Sequence, residues 1–245
     1  FPFTTFRQLI AHTRLTFSFL SLRAAACGAH SVIAHDATAM FFAAGMLSPD
    51  SRCKTMDAAA DGYVRGEAMG VLILEARATE VSFDAECGIM IASTAVNQDG
   101  RSSGLTAPSG LAQQAVISIA LSAGALKPAD LQTLQMHGTG TSLGDPIEVN
   151  ASISALQRGN DKSGSIITLE AVKSYVGHTE CASGIVGIMQ PVNRLGDSLS
   201  AHVLHLNTMN AHIQNLFERN AFVPTRVCRQ RASAQMNEAI CVSAC

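Results

Sequence analysis

The sequence carries little charge and no excess of either sign. Charged residues fill 15% of the 245 positions, the formal net charge is −2, and 47% of residues are hydrophobic. A basic footprint for nucleic acid is missing, and the composition is that of a core-rich globular chain. The seven cysteines are odd in number and irregularly spaced, with no C-x-x-C pair. That argues against a disulfide framework or a zinc ribbon and for reduced thiols in a cytoplasmic compartment. No apolar run reaches the length of a membrane span. RLTFSFLSLRAAACGA loosely imitates a signal peptide, but Arg23 interrupts its apolar run and the chain opens on Phe1. An amphipathic helix is expected there instead. Repeats, low-complexity tracts and obvious linkers are also absent. The pattern weakens around residues 76–86, which places an internal boundary between 1–78 and 79–245.

What the chain does have is an alternation. Apolar, β-prone runs lead into glycine-bearing loops and then into small-residue helices. ECGIMIASTAVNQDG reads as a strand followed by a loop. SGLAQQAVISIALSAGAL reads as a helix with Leu111, Ala115, Ile119 and Ala123 on one face and Gly124 at its end. LQTLQMHGTGT is the second strand and loop, and GDPIEVNASISAL the helix after it. Asp145 is placed to cap that helix, Pro146 suits its first turn, and Glu148 completes a capping-box spacing. SIITLEAVKSYVGH is the third strand, followed by the helix TECASGIVGIMQ, which Pro191 should end or kink. AHVLHLN and AICVSA read as two further short strands. Strands alternating with helices predict an α/β layered fold.

Two histidines stand in the same setting. His137 follows a strand and precedes glycines, so its ring projects from a strand end where a ligand can approach the backbone closely. His178 repeats the arrangement of strand, glycine, histidine and helix start, with Lys173 before it and Glu180 after it. A lone His-Gly is most often an ordinary loop residue, but two of them in one α/β pattern point to a shared pocket. Two neutral imidazoles donating N–H bonds to one oxygen make an oxyanion hole, which suits an enolate formed by decarboxylation beside a thioester. A nearby lysine helps fix a histidine's tautomer, and the hydroxyls of Thr139 and Thr141 suit the amides of an extended arm.

These stretches also carry a resemblance. HGTGTSLGDPIEVNA and VKSYVGHTECASGIVGI resemble the two histidine motifs of β-ketoacyl synthases, the ketosynthase domains of fatty-acid and polyketide synthases. AGMLSPDSRCKTMDAAADGYVRGEAMGVLIL and AVNQDGRSSGLTAPSG are similar to the modular polyketide branch, and HLNTMNAHI resembles the segment after the second histidine. The resemblance implies a thiolase-like fold layered as helices, sheet, helices, sheet and helices. Here it would be incomplete, with 1–78 a remnant of the N-terminal half and 79–245 the C-terminal half. It implies decarboxylative Claisen condensation. A cysteine takes the acyl group from a carrier-protein phosphopantetheine, malonyl-carrier loses carbon dioxide, and the carbanion attacks the acyl thioester. Carried over, His137 and His178 are the catalytic pair, Lys173 and Glu180 support them, and Thr139 and Thr141 contact the pantetheine arm. The implied partner is acyl carrier protein, the intact fold is a homodimer, and neither a tightly bound cofactor nor a metal is expected.

The chain also departs from the family pattern. The threonine-alanine-cysteine-serine-serine motif that holds the nucleophile does not occur. Cys27 falls beyond the nucleophile position, and Gln8 falls near it among neighbours that do not match. Cys181 is expected to be a packing residue in a helix. AICVSAC resembles the start of a final strand whose following loop is absent, and HSVIAHDATAMFFAAG is short, with Asp36 in place of an apolar, glycine-rich strand. An internal piece that does not condense is the expectation, because no acyl-enzyme forms without a thiolate. A catalytically dead module that binds carrier protein or stabilises a dimer is the alternative, and a degradative thiolase is disfavoured by the GHTE motif. His202, His205 and His212 are expected to be ordinary loop and strand histidines, since alternation sends the first two to opposite strand faces.

Overall fold

The structure, a computed structural model, describes residues 23–76, 89–100, 108–156, 167–194, 203–218, 223–224 and 239–242. It opens on two strands, β1 (Arg23–His30) and β2 (Ala68–Glu75), paired antiparallel over their whole lengths. RAAACGA is therefore strand rather than the helix expected, because the ladder with AMGVLILE outweighs the helical preference of alanine. Side chains alternate across this ribbon. Ala26 and Gly70 are buried, whereas Met69, Val71 and Ile73 face outward. Between the strands lie the short helix α1 (His35–Ala43) and an irregular segment. In that segment Cys53, Lys54, Thr55, Met56 and Asp57 are all buried.

Helix α2 (Gly110–Ala123) is capped by the Ser109 hydroxyl, which accepts the Ala112 N–H at 3.3 Å, and ends at Gly124. It buries Gln113, Ile117 and Leu121, so the face of Leu111, Ala115, Ile119 and Ala123 is the solvent side. Residues 89–100 form no strand. Ser93 Oγ donates to the Ala120 carbonyl at 2.6 Å and Asn97 Nδ2 to that of Ala112 at 2.5 Å, so the segment runs along α2 instead of pairing in a sheet.

Strand β3 (Leu131–Gln135), helix α3 (Gly144–Leu156) and strand β4 (Thr168–Glu170) make a βαβ unit with β3 parallel to β4. A single turn, α4 (Lys173–Val176), and a longer helix, α5 (Ser183–Arg194), follow. Pro191 lies inside α5 and does not end it: near the end of the helix it forfeits one hydrogen bond, and its ring is buried. Helix α6 (Ala211–Glu218) and strands β5 (Val223–Pro224) and β6 (Ala239–Val242) complete the described residues. The sheet order is β5-β4-β3-β6, every pair parallel, so AICV is the strand expected. AHVLHLN is not: Val203–Leu206 forms a turn with His205 at φ 64°, burying Val203 and Leu206, while His202 lies outside the described residues.

Leu131, Leu134, Val149, Ile153 and Leu169 form the main core with Ile117 and Leu121 of α2 and Ile213 of α6. Helix α5 runs between the two sheets and touches both. Its Ile185 fills the space left by Gly28 and Gly70 on the ribbon. Among the described residues no helix is long and apolar enough to cross a membrane. The expected boundary near 76–86 falls mostly outside the described residues.

Two glycines separate backbone strain from collision. Gly45 sits at φ +67° with open space where a Cβ would go, whereas a Cβ on Gly140 at φ +79° would lie 2.6 Å from the Lys54 nitrogen. Gly45→Ala should cost about 1–2 kcal/mol from the left-handed backbone alone, and Gly140→Ala about 3 kcal/mol or more. Urea unfolding midpoints measure both, and equal costs would contradict the close approach.

Candidate active site

The two histidine motifs follow the carboxyl ends of adjacent parallel strands, β3 and β4, where open α/β sheets present ligands. After β3 the chain turns twice through left-handed backbone, Gly138 at φ 49° and Gly140 at φ 79°. The N–H groups this exposes are taken by carboxylates of α3. Glu148 accepts from His137 N at 2.6 Å and Gly138 N at 2.9 Å, and Asp145 accepts from Gly140 N at 3.1 Å and Met56 N at 2.8 Å. These two residues were expected as helix caps, but Thr141 caps α3, its Oγ1 accepting from Gly144 N at 3.1 Å. The acidic side chains turn back onto the loop, where they accept from the backbone of His137, Gly138 and Gly140. Burial, reinforced by the Glu148 charge, pushes the Asp145 carboxyl up to about 7 against the pull of the Met56 and Gly140 N–H bonds.

The segment from Cys53 to Gly66, buried at Cys53–Asp57 and at Gly62–Tyr63, closes over both motifs. Thr55 Oγ1 donates to the Gly138 carbonyl at 2.7 Å and Gly62 N to the Gly140 carbonyl at 3.1 Å. On the other side, His178 N donates to the Val64 carbonyl at 2.7 Å and Gly66 N to the His178 carbonyl at 2.9 Å. His178 does not leave a strand end directly, as expected. The α4 turn intervenes, and Gly177 at φ 75° redirects the chain. The same segment reaches the C-terminal part of the domain. Asp57 accepts from Asn207 N at 2.7 Å and Thr208 N at 2.9 Å. Burial opposes ionisation of Asp57, but the bonds from Ala59, Thr208 and Asn207 hold its carboxyl below the usual range.

His137 and His178 come together with ring centroids 5.2 Å apart and planes at 87°. Tyr63 packs against His178, ring centroids 5.1 Å apart. The hydrogen bonds select the tautomers. Glu180 N donates to His178 Nδ1 at 3.1 Å, which leaves the ring proton on Nε2. Lys173 Nζ lies 3.4 Å from His137 Nδ1, and an ammonium only donates, so that ring also carries its proton on Nε2. Burial, with the charges of Lys173 and His30, pushes the His178 imidazole down to about 3, so it is neutral at physiological pH. Two N–H donors on rings set edge to face can hold one developing oxyanion.

The remaining candidates divide. Lys173 is buried beside His137, while the Glu180 carboxylate turns to Arg65, with Oε1 2.6 Å from the guanidinium Nε. Thr139 and Thr141 lie with their Oγ1 atoms 3.4 Å apart. Cys27 is exposed on β1, Cys181 is exposed rather than packed, and Gln8 lies outside the described residues. Cys53 is buried, and burial pushes its thiol up. His205 lies in a turn beside Arg52, and His212 is exposed in α6. Among the described residues no three His, Cys, Asp or Glu side chains cluster as metal ligands. Sequence reasoning assigned no role to Tyr63, Val64 and Arg65. Their hint was a Tyr-Val pair between Gly62 and Gly66 in an otherwise polar stretch.

Comparison with known proteins agrees with this arrangement. Residues 23–80 match the N-terminal domain of β-ketoacyl synthase and residues 89–207 its C-terminal domain. The chain is 40% identical over 176 residues to one phenolphthiocerol/phthiocerol polyketide synthase polypeptide of Mycobacterium tuberculosis, covering 71% of this chain and 8% of that one. Another polypeptide of the same synthase and organism is 41% identical over 182 residues, 74% of this chain and 12% of that one. The chain thus spans only a small part of these relatives. Among solved structures, the ketosynthase from module 6 of the bacillaene synthase of Bacillus subtilis 168 superposes with a TM-score of 0.83 at 29% identity, covering 96% of this chain and 42% of that one. The oxazolomycin ketosynthase domain of Streptomyces albus JA3453 gives 0.79 at 32% identity, covering 87% and 36%. With both domain matches in order and its two histidine motifs at neighbouring strand ends of a thiolase-like fold, the chain belongs to the β-ketoacyl synthase family, as part of a polyketide-type ketosynthase domain.

Proposed function

We propose that this chain carries the carbanion-stabilising half of a ketosynthase site and decarboxylates malonyl thioesters without condensing them. In this reading a malonyl group arrives on the phosphopantetheine arm of an acyl carrier protein, and the hydroxyls of Thr139 and Thr141 hold the arm's amides. The bond between the malonyl carboxylate and its α-carbon breaks, carbon dioxide leaves, and the electron pair moves into an enolate whose oxygen lies between the Nε2–H groups of His137 and His178. Water then protonates the α-carbon and an acetyl thioester remains. Lys173 fixes the His137 tautomer and Glu180, through its backbone N–H, that of His178.

The observation that carries this reading is the edge-to-face pair of imidazoles, 5.2 Å between centroids, each with its Nδ1 occupied. Absence of condensation rests on the thiols. Cys53, the one packed against the Val64 backbone beside the site, is buried, and burial raises its pKa and disfavours the thiolate that an acyl-enzyme needs. Dimerisation and carrier binding follow from the same family reading and are proposed with it.

Malonyl-carrier incubated with the chain should release carbon dioxide and yield acetyl-carrier, followed by mass spectrometry of the pantetheine arm. His137→Ala and His178→Ala should each lower the rate by about 10²-fold or more, as loss of one oxyanion donor does. Added acyl thioester should give no β-ketoacyl product. Decarboxylation that survives the double alanine variant would overturn the reading, and so would a condensation product.

A further inference from the structure

His178 needs its Nδ1 occupied, and the donor that does this stands on a strained residue. Glu180 adopts φ 39°, a left-handed conformation unusual for a side chain of its size, and in that conformation its N–H reaches back to Nδ1 at 3.1 Å. Something must hold the backbone there. The Glu180 carboxylate is gripped by Arg65, whose Nε lies 2.6 Å from Oε1, and His30 Nε2 stands 3.5 Å from Oε2. Arg65 is itself fixed on three further sides. Its Nη1 donates to Thr38 Oγ1 at 2.7 Å, its guanidinium lies over the Phe41 ring at 5.2 Å, and its backbone bridges in parallel to His178. Both side chains of the ion pair are nearly withdrawn from solvent, 8% exposed for Arg65 and 14% for Glu180.

We propose that Arg65 is a positioning residue for His178: by clamping the Glu180 carboxylate it holds the left-handed turn whose N–H occupies Nδ1, and so keeps the ring proton on Nε2. The guanidinium suits the task because its planar fork meets Glu180 and Thr38 at once, which a lysine ammonium, as a point charge on a flexible stem, does not reproduce. Without the clamp Glu180 relaxes towards ordinary backbone, Nδ1 loses its donor, and the two neutral tautomers compete. The inference rests on the charge-stabilising role proposed for His178.

The test reads the tautomer directly and needs no substrate. In the full chain labelled with ¹⁵N-histidine, the wild-type His178 ring should show an unprotonated Nδ1 and a protonated Nε2. Arg65→Gln should give a mixture with the Nδ1–H form, and Arg65→Lys a smaller admixture. Malonyl-carrier decarboxylation by Arg65→Gln should fall about tenfold in kcat with little change in KM, as outer positioning residues commonly give, and Arg65→Lys should recover part of it. A single Nε2–H tautomer in Arg65→Gln would overturn the inference. Should that variant fail to fold, Arg65→Lys carries the test, and ring shifts identical to wild type would overturn it. A tautomer that responds in a chain with no decarboxylase activity would leave the positioning role standing and remove the proposed function alone.

Discussion

The site depends on a loop that could not hold its shape alone. The His137–Gly140 turn points backbone N–H groups into a largely buried region, and each, left unpaired, would cost about 1–3 kcal/mol. Glu148 and Asp145 remove that cost from one helix, one carboxylate spanning His137 and Gly138 and the other joining Gly140 to Met56. Because α3 is the crossover between β3 and β4, the helix that ties down the first motif is also the connection that brings in the second. The position of His137 is thus a consequence of how α3 satisfies the loop, and that of His178 a consequence of the α4 turn after β4 and of its bonds to Val64 and Gly66.

The irregular segment from Cys53 to Gly66 joins these parts. It donates to the Gly138 and Gly140 carbonyls on one side, brackets His178 between Val64 and Gly66 on the other, and draws in Asn207 and Thr208 through Asp57. Where this coil is buried, its own polar groups and those of the motifs pair with each other. It also covers part of His178, through Val64, Gly66 and Tyr63. The neutrality of that imidazole follows from enclosure first and from the charges of Lys173 and His30 second.

Much of this was legible in the sequence. The runs LQTLQ and TLE, each with a glycine and a histidine downstream, read as strands leading to a shared pocket, because a strand that runs into glycine is read through local chemistry. Their parallel pairing came from the structure. The failures share a different cause. RAAACGA became strand because AMGVLILE lies beside it, a partner that no local pattern identifies. The spacing of α2 divided its residues correctly into faces, yet only the neighbouring elements decide which face is covered, and Ile117 and Leu121 were chosen over Leu111 and Ile119. Asp145 and Glu148 have capping spacing, but their donors lie in the preceding loop and at Met56. In AHVLHLN the apolar alternation came from Val203 and Leu206 turning inward around a left-handed His205, not from a strand. Arg65 and Tyr63 had only the Gly62–Gly66 spacing as a hint, because their roles exist only once the chain folds onto His178.

The central claim is that His178 is neutral and that both imidazoles carry a proton on Nε2, ready to share one oxygen. The most direct measurement is a ¹⁵N titration of the wild-type histidines from pH 8 to pH 4. His178 should stay neutral throughout, in agreement with a value pushed down to about 3, and both rings should show Nδ1 as the unprotonated nitrogen at pH 7. Since this pKa is lowered on folding, the unfolded chain takes up the proton first, and stability should decline as pH falls below the ordinary histidine range near 6.5. A His178 that titrates between pH 6 and 7, or either ring protonated on Nδ1 at neutral pH, would contradict the account.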